Sequence, residues 1–383
     1  MLKNEAFYRT GRVPVHSVLL FRSRREAVEC PKADIELQVC GECGFIANVS
    51  FDEALLTYSQ QYESTQTYSG TFVDFQKRLA ASLVAKYDLV GKNIVEIGCG
   101  NGEFLSLLCD LGGNRGVGYD PAAQESRRPA VSRGEMQIVP ERYSDQTRIH
   151  DANLVCCMMT LEHIPGVLDF LKMIRRSLGG ESDATILFQV PNIRRILHET
   201  AFWDIYYEHC SYFSPGSLSG VVRRSGFAVT DLWTEYDGQY MMLEAATAEH
   251  PGGRYREREE DPKELIDAAK AFADRVGDLI RGWEERLLGS LRAGKKLVLW
   301  GSGSKAVAFL TKLSPDFPIE HIVDINPHKW GTYSAGTGQQ IVSPDFLKGY
   351  RPDVVVAMNP FYVKEISASL RGLGVEAELI HLS

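Results

Sequence analysis

Short apolar runs punctuate the middle of the chain at regular intervals: NIVEIGC, RGVGYD, MQIVP, NLVCCMM and TILFQVP. Helical patterns separate them. Short apolar runs bounded by turn residues read as buried strands, and their alternation with helices predicts parallel β-α units in a doubly wound sheet. Two further runs, FAVTDLW and MMLEAAT, have no helical pattern between them, so they predict an antiparallel hairpin at the sheet edge. The texture then changes to AEHPGGRYREREEDPKE, a polar stretch with Pro and Gly that reads as a linker. Beyond it Leu265, Phe272, Val276, Leu279, Trp283 and Leu287 recur at helical steps and mark one face of a long helix. That stripe packs on the protein's own units or forms a dimer contact; the spacing allows both, and the chain is a monomer or a dimer accordingly. From KKLVLWGSGSKAVAFL onward β-α alternation restarts with HIVDINP, DVVVAMN and AELIHLS.

The pattern therefore predicts an α/β protein in four stretches. Residues 1–70 form a small N-terminal cysteine-containing unit and lid. Residues 71–248 form a central Rossmann-like sheet, 249–292 a linker and long helix, and 293–383 a second, smaller Rossmann-like unit.

Composition narrows the function classes. The 383 residues carry a formal charge of −8 with no long Lys/Arg block, which speaks against nucleic acid as the main partner. No apolar run is long enough to predict a membrane-spanning helix. The start, MLKNEAFYRTGRVPVHS, lacks the apolar core of a signal peptide. Eight scattered cysteines, several inside apolar segments, suit a reducing compartment. A cytoplasmic protein is expected.

Candidate chemistry begins at IVEIGCGNGEF, which ends one predicted strand and opens a helix. Gly98, Gly100 and Gly102 allow a tight turn and close approach of the backbone to a ligand. Glu96 sits in the strand just before them. GYDP places Asp120 at the end of the next strand, where a carboxylate can accept both hydroxyls of a ribose. No Lys-Ser/Thr follows the glycines, so the loop is not a P-loop; a dinucleotide remains open from the glycines alone. The Glu-x-Gly-x-Gly-x-Gly loop, together with ANLVCCMMTLEHIPG, resembles class I S-adenosylmethionine-dependent methyltransferases. The resemblance covers roughly residues 75–248. It implies S-adenosylmethionine as cofactor, with Glu96 and the three glycines near the methionine part and Asp120 on the ribose. The segment from Glu141 to Tyr143 would lie near the adenine. Glu162 and His163 in LEHI are either functional or serve as cap and packing groups.

The stretch FWDIYYEHCSYFS, residues 202–214, mixes aromatic rings with Asp204, Glu208, His209 and Cys210. A pocket wall that stacks on a ligand and moves protons needs both residue types. Its Tyr206-Tyr207-Glu208-His209-Cys210-Ser211-Tyr212 resembles a segment of the three-domain sugar C-methyltransferases of antibiotic biosynthesis. The resemblance extends to LTYSQQYESTQTYS, similar to their lid, and to the tail from GSGSKAVAFL, similar to their third domain. It implies methylation of a small-molecule acceptor, at carbon beside a ketone of an activated sugar or secondary metabolite. His209 would be the base, because an imidazole titrates near neutral pH. Tyr206 would donate to the enolate oxygen, and Glu208 would orient His209 or bind a hydroxyl. Tyr68 would face the cofactor; Tyr62, Tyr207 and Tyr212 would face the acceptor. Methylation at oxygen or nitrogen is the alternative within the class.

Two departures matter. The chain has YDGQYMML where the sugar enzymes carry Gly-Gly-Ser, which loosens the sugar assignment. It has one Cys-x-x-Cys pair, Cys40 and Cys43, where they have two for zinc. A structural zinc takes four ligands; Cys30 and His16 could complete a set only at irregular spacing, so no metal is assigned. The second glycine loop, VLWGSGSKAVAFL with Asp324 following, offers a helix start and a carboxylate. Lys305 there would clamp a nucleotide or phosphate handle of the acceptor, or the unit is structural. An NAD-linked oxidoreductase using this loop is the rival from another class.

Overall fold

The computed structural model describes residues 5–56, 62–149, 151–179, 183–247, 254–313 and 317–383. Parts of the expected lid (57–61) and linker (248–253) thus lie outside the described residues. The chain opens with three antiparallel strands, β1 (Tyr8–Pro14), β2 (Lys32–Val39) and β3 (Ile46–Asn48). β2 alternates inward Ile35, Leu37 and Val39 with more exposed neighbours, the period of a strand covered on one face.

The helix Gly70–Lys86 leads into the central unit, its start capped by the Ser69 hydroxyl. Next come β4 (Asn93–Ile97), β5 (Arg115–Tyr119), β6 (Glu135–Val139), β7 (Leu154–Met158) and β8 (Thr185–Pro191), all parallel. β9 (Ser211–Tyr212) leaves this unit and pairs with β3, Ile46 opposite Tyr212. β10 (Ala228–Glu235) and β11 (Tyr240–Ala246) form the predicted hairpin, with β11 against β8. The seven-stranded order is β6-β5-β4-β7-β8-β11-β10. It reverses direction between β4 and β7, where the strand ends leave a crevice.

The helix Pro262–Arg292 starts at an Asp261 cap with Pro at its first turn. Its stripe resolves toward the protein's own core. Leu265, Phe272, Val276, Trp283 and Leu287 are buried, and Leu279 packs against the same cluster. Each fully buried large apolar side chain contributes about 1.5–3 kcal/mol relative to exposure. The last unit is a parallel sheet of β12 (Leu297–Trp300), β13 (His321–Val323), β14 (Gln340–Val342), β15 (Val354–Ala357) and β16 (Glu378–His381), in the order β14-β13-β12-β15-β16. Three residues and a half-exposed Gln340 make β14 too faint for a pattern reading.

One apolar cluster joins these parts. It contains Ile35 and Leu37 of β2, Phe202, Trp203 and Tyr207, Phe272 and Trp283 of the long helix, and Leu299 and Phe309 of the last unit. Polar ties add to it: Glu365 accepts from the Ser69 hydroxyl at 2.7 Å, and Gln239 and Asn359 exchange side-chain hydrogen bonds at 3.1 and 3.0 Å.

Candidate active site

A cavity of about 870 Å³ runs along the ends of β4, β5 and β7 and continues to the glycine loop after β12. Its first half is built by the loop after β4. Gly98, Gly100 and Gly102 have φ of 74°, 56° and 87°, the left-handed region. At Gly98 a Cβ would meet Thr160 Oγ1 at 2.0 Å, so the backbone there touches the loop after β7 and no larger residue fits. The helix Glu103–Gly112 begins at Gly102, which has no side chain to cap its first N–H groups.

Around this loop the acidic groups divide their roles. Asp120 Oδ2 accepts from Gly100 N at 2.9 Å and Oδ1 from Ala122 N at 2.7 Å, which leaves further lone pairs on both oxygens. Burial raises its pKa. Glu96 is buried, and its Oε2 has no protein partner. An orphaned carboxylate oxygen and an ordered glycine cradle fit a cationic, hydrogen-bonding ligand such as S-adenosylmethionine. On the far side Tyr143 stands edge-on to Tyr119, ring centroids 5.5 Å apart, with Phe170 at 6.5 Å. All three rings line the cavity. Tyr119, Thr160 and Phe170 escaped the sequence reading; only the β-α periodicity around Phe170 pointed to them, and it reads equally as core.

The second half of the cavity is walled by part of residues 202–214. Asp204, Tyr206, Glu208 and His209 line it, whereas Tyr207 and Tyr212 do not. This corrects the acceptor-side assignment of those two tyrosines. Tyr207 is fully buried, stacks on Phe51 with centroids 5.5 Å apart, and accepts from Asp52 N at 2.8 Å. Tyr212 sits in β9 and donates to Tyr206 O at 3.1 Å.

His209 lies between Tyr206 and His163, ring centroids 4.6 and 4.8 Å away. Its Nδ1 is buried without a partner. Burial, then His163 and Lys305, hold its pKa well below the usual imidazole value, so the ring is neutral. Glu208 does not orient it. Its carboxylate is held by Ser17 N at 3.0 Å, by the Ser17 hydroxyl and by His16 Nδ1 at 3.4 Å. Burial works to raise the Glu208 pKa, but these bonds and the nearby His163 bring it below the ordinary value. Glu208 is a brace for the N-terminal segment. The Ser17 hydroxyl continues the brace to Ser304 Oγ at 2.7 Å.

Tyr206 donates to Asp204 Oδ1 at 3.2 Å, and its pKa is raised well above that of free tyrosine by burial and by Asp204. Asp204 also meets Arg195 at 3.1 Å and the Lys305 ammonium. Lys305 is therefore not waiting for a substrate anion; its charge is already answered. Burial lowers its pKa while Asp204 works against that. Asp204 was quoted in the sequence but given no role, because its partners lie 9 and 101 residues away.

At the second glycine loop Asp324 is occupied too. It accepts from Ser302 N at 2.9 Å, the Ser302 hydroxyl and Asn326 N at 2.8 Å, and pairs with Lys329 at 3.6 Å. A dinucleotide ribose finds its expected carboxylate already engaged. Tyr62 lines the cavity near His16, ring centroids 6.2 Å apart, and Tyr68 lines it at the rim against His328. Near them Glu63 joins Arg127 of the central unit to Asn326 of the last one.

The four cysteine-site candidates do not assemble. Cys40 and Cys43 sit on a turn at one end of β2, where Gly44 N donates to Cys40 O at 2.9 Å. Cys30 precedes the other end and packs on Val307 and Ala335. At about 3.3 Å per residue the strand keeps them about 25–30 Å apart. His16 is taken by Glu208.

Comparison with known proteins agrees with this architecture. Residues 72–232 match a family described as "Methyltransferase domain", and residues 249–377 match "C-methyltransferase C-terminal domain". The C-methyltransferase NovU of Streptomyces niveus is 26% identical over 351 residues, covering 87% of this chain and 81% of that protein. Among solved structures, a 1,6-didemethyltoxoflavin-N1-methyltransferase of Burkholderia thailandensis is 14% identical, with a TM-score of 0.37 over 47% of this chain and 82% of that one. The magnesium protoporphyrin IX methyltransferase of Synechocystis PCC 6803 is 17% identical, with a TM-score of 0.34 over 46% and 80%. With a methyltransferase domain followed by a match to a C-methyltransferase C-terminal domain, the chain is an S-adenosylmethionine-dependent methyltransferase, similar to C-methyltransferases.

Proposed function

We propose that this enzyme methylates a carbon beside the ketone of a small acceptor, an activated sugar or related secondary metabolite. The acceptor's reacting end lies against Tyr206 and His209. The observation that carries this reading is the His209 imidazole, buried in the cavity and unpaired at Nδ1, with the Tyr206 ring 4.6 Å away. S-adenosylmethionine, when bound, supplies a methyl group already activated on a sulfonium. The protein's task is to make carbon nucleophilic. His209 takes the α-proton, whose bonding electrons pass into the enolate. The Tyr206 hydroxyl, which donates to Asp204 in the resting site, turns its one proton to the enolate oxygen. A nucleotide or phosphate group would lie toward the Gly301 loop.

The test is His209→Ala. Cofactor binding should stay nearly intact, while turnover falls by about 10²–10⁴. The α-proton of the acceptor should exchange with deuterated water in wild type beside an inert cofactor analogue, and stop exchanging in the variant. Exchange that persists in His209→Ala removes His209 as the base. A product methylated on oxygen or nitrogen overturns the carbon reading.

A further inference from the structure

Two side chains beside His209 in the cavity, Glu162 and His163, take no part in the proton transfer described above. Glu162 follows β7 and is 1% exposed, and neither carboxylate oxygen has a partner. One ligand-capable atom each from Glu162, His163 and His209 lies within 4.8 Å of the others. All three residues line the cavity. His163 Nδ1 bonds the Glu208 carbonyl at 3.0 Å; a carbonyl only accepts, so Nδ1 carries the proton and Nε2 the lone pair. That is the arrangement in which a histidine binds metal, with its second nitrogen fixed by a carbonyl.

We propose that Glu162, His163 and His209 bind one divalent transition cation, and that the bound cation silences the enzyme by taking the His209 lone pair. The second half rests on His209 being the base.

The chemistry of the donors selects the cation. Two imidazoles and one carboxylate suit zinc or cobalt, whereas magnesium prefers an all-oxygen shell. A tetrahedral ion with bonds of about 2.1 Å sets its ligand atoms about 3.4 Å apart, so modest side-chain rotations close the cluster on it. The fourth position faces the cavity and takes water. The three ligands come from two loops, Leu161–His163 after β7 and the segment before β9, and those loops are already joined by the bond from Cys210 N to Glu162 O at 3.0 Å. The frame is therefore set before the ion arrives. No bond to carbon forms or breaks in this step; the ion displaces any proton on Glu162 to solvent.

The Cys40-Cys43 pair, half-buried at Cys40 and exposed at Cys43, is the rival binding site, and cobalt distinguishes the two. Thiolate ligation gives an intense near-ultraviolet charge-transfer band; two histidines and a carboxylate give only weak visible bands. The experiment titrates cobalt and zinc into the full chain carrying Cys40→Ser and Cys43→Ser, following absorbance, binding heat and turnover. One cation per chain should bind without the near-ultraviolet band, magnesium should not compete, and turnover should fall in step with occupancy. Glu162→Gln should weaken binding at least about 10-fold, the scale of lost support at a metal site. Its far-ultraviolet dichroism, if native, shows that folding is retained. His163→Asn tests the same site without touching Glu162. No stoichiometric binding, or binding undiminished in both variants, overturns the site. Binding with unaltered turnover leaves the site standing and instead refutes His209 as the base.

Discussion

Asp204 offers a sharp test of how the last unit is coupled to the active site. Asp204→Asn keeps the shape and removes the charge. In the structure the carboxylate meets Lys305, Arg195 at 3.1 Å and the Tyr206 hydroxyl at 3.2 Å, with side chains 7%, 20% and 12% exposed for Asp204, Lys305 and Arg195. Two charge-assisted bonds of about 1.5–3 kcal/mol each, partly kept by the amide, suggest a loss of about 3 kcal/mol. That lies at the lower end of the ~3–5 kcal/mol found when one member of a buried pair is removed. The loss comes chiefly from the uncompensated Lys305 ammonium rather than from the missing bond. Neutralising that ammonium as well should therefore recover stability: Asp204→Asn with Lys305→Met should be more stable than the sum of the single changes by about 1.5 kcal/mol or more. Urea unfolding of the four proteins gives the cycle, read at the first transition because a chain of several units need not unfold in one step. In the same variant Tyr206 donates to a neutral amide oxygen instead of a carboxylate, so turnover should fall as well. A cost of Asp204→Asn under about 1 kcal/mol, or a coupling under about 0.5 kcal/mol, would refute the reasoning.

Three further outcomes are expected. Asp120→Ala should weaken S-adenosylmethionine binding by about 1–3 kcal/mol, measured by calorimetry, since it removes an acceptor for the ribose and frees Gly100 N; unchanged affinity in a folded variant would take Asp120 out of the site. Gly98→Ala should abolish cofactor binding or lower the melting temperature, because φ is +74° and the new Cβ would overlap Thr160; a variant with wild-type binding and melting would refute the close approach. Burial raises the Asp324 pKa, but Lys329, the Ser302 hydroxyl and the amides of Asn326 and Ser302 outweigh it and leave it below its ordinary value. Its folded pKa lies below its unfolded one, so its stabilisation is present above about pH 4 and fades as pH falls through the folded value. The stability gap between wild type and Asp324→Asn should thus narrow on acidification, and a gap that widens would contradict the assignment.

The sequence by itself determined what local physics encodes. Alternating apolar runs and helical patterns are periodic, so the order of β4 to β8 and the hairpin of β10 and β11 could be read directly from them. The glycine loop at Gly98–Gly102 and Asp120 share that legibility, because turn chemistry acts within a few residues and strand ends recur at fixed places in a β-α unit. Tertiary structure decided the rest. Residues 202–214 have no period long enough to tell one side from the other. Packing of Tyr207 on Phe51 and pairing of Tyr212 with β3 put those two in the core, while Tyr206 and His209 stay in the cavity. Glu208 looked like a partner for its neighbour His209, yet Ser17, 191 residues away, claimed it. Lys305 looked like a free cation and was met by Asp204, 101 residues away. Burial makes an unpaired charge costly, so each such group takes whatever partner folding brings within reach, and that partner is set by the packing of three units around one core, not by the neighbouring letters.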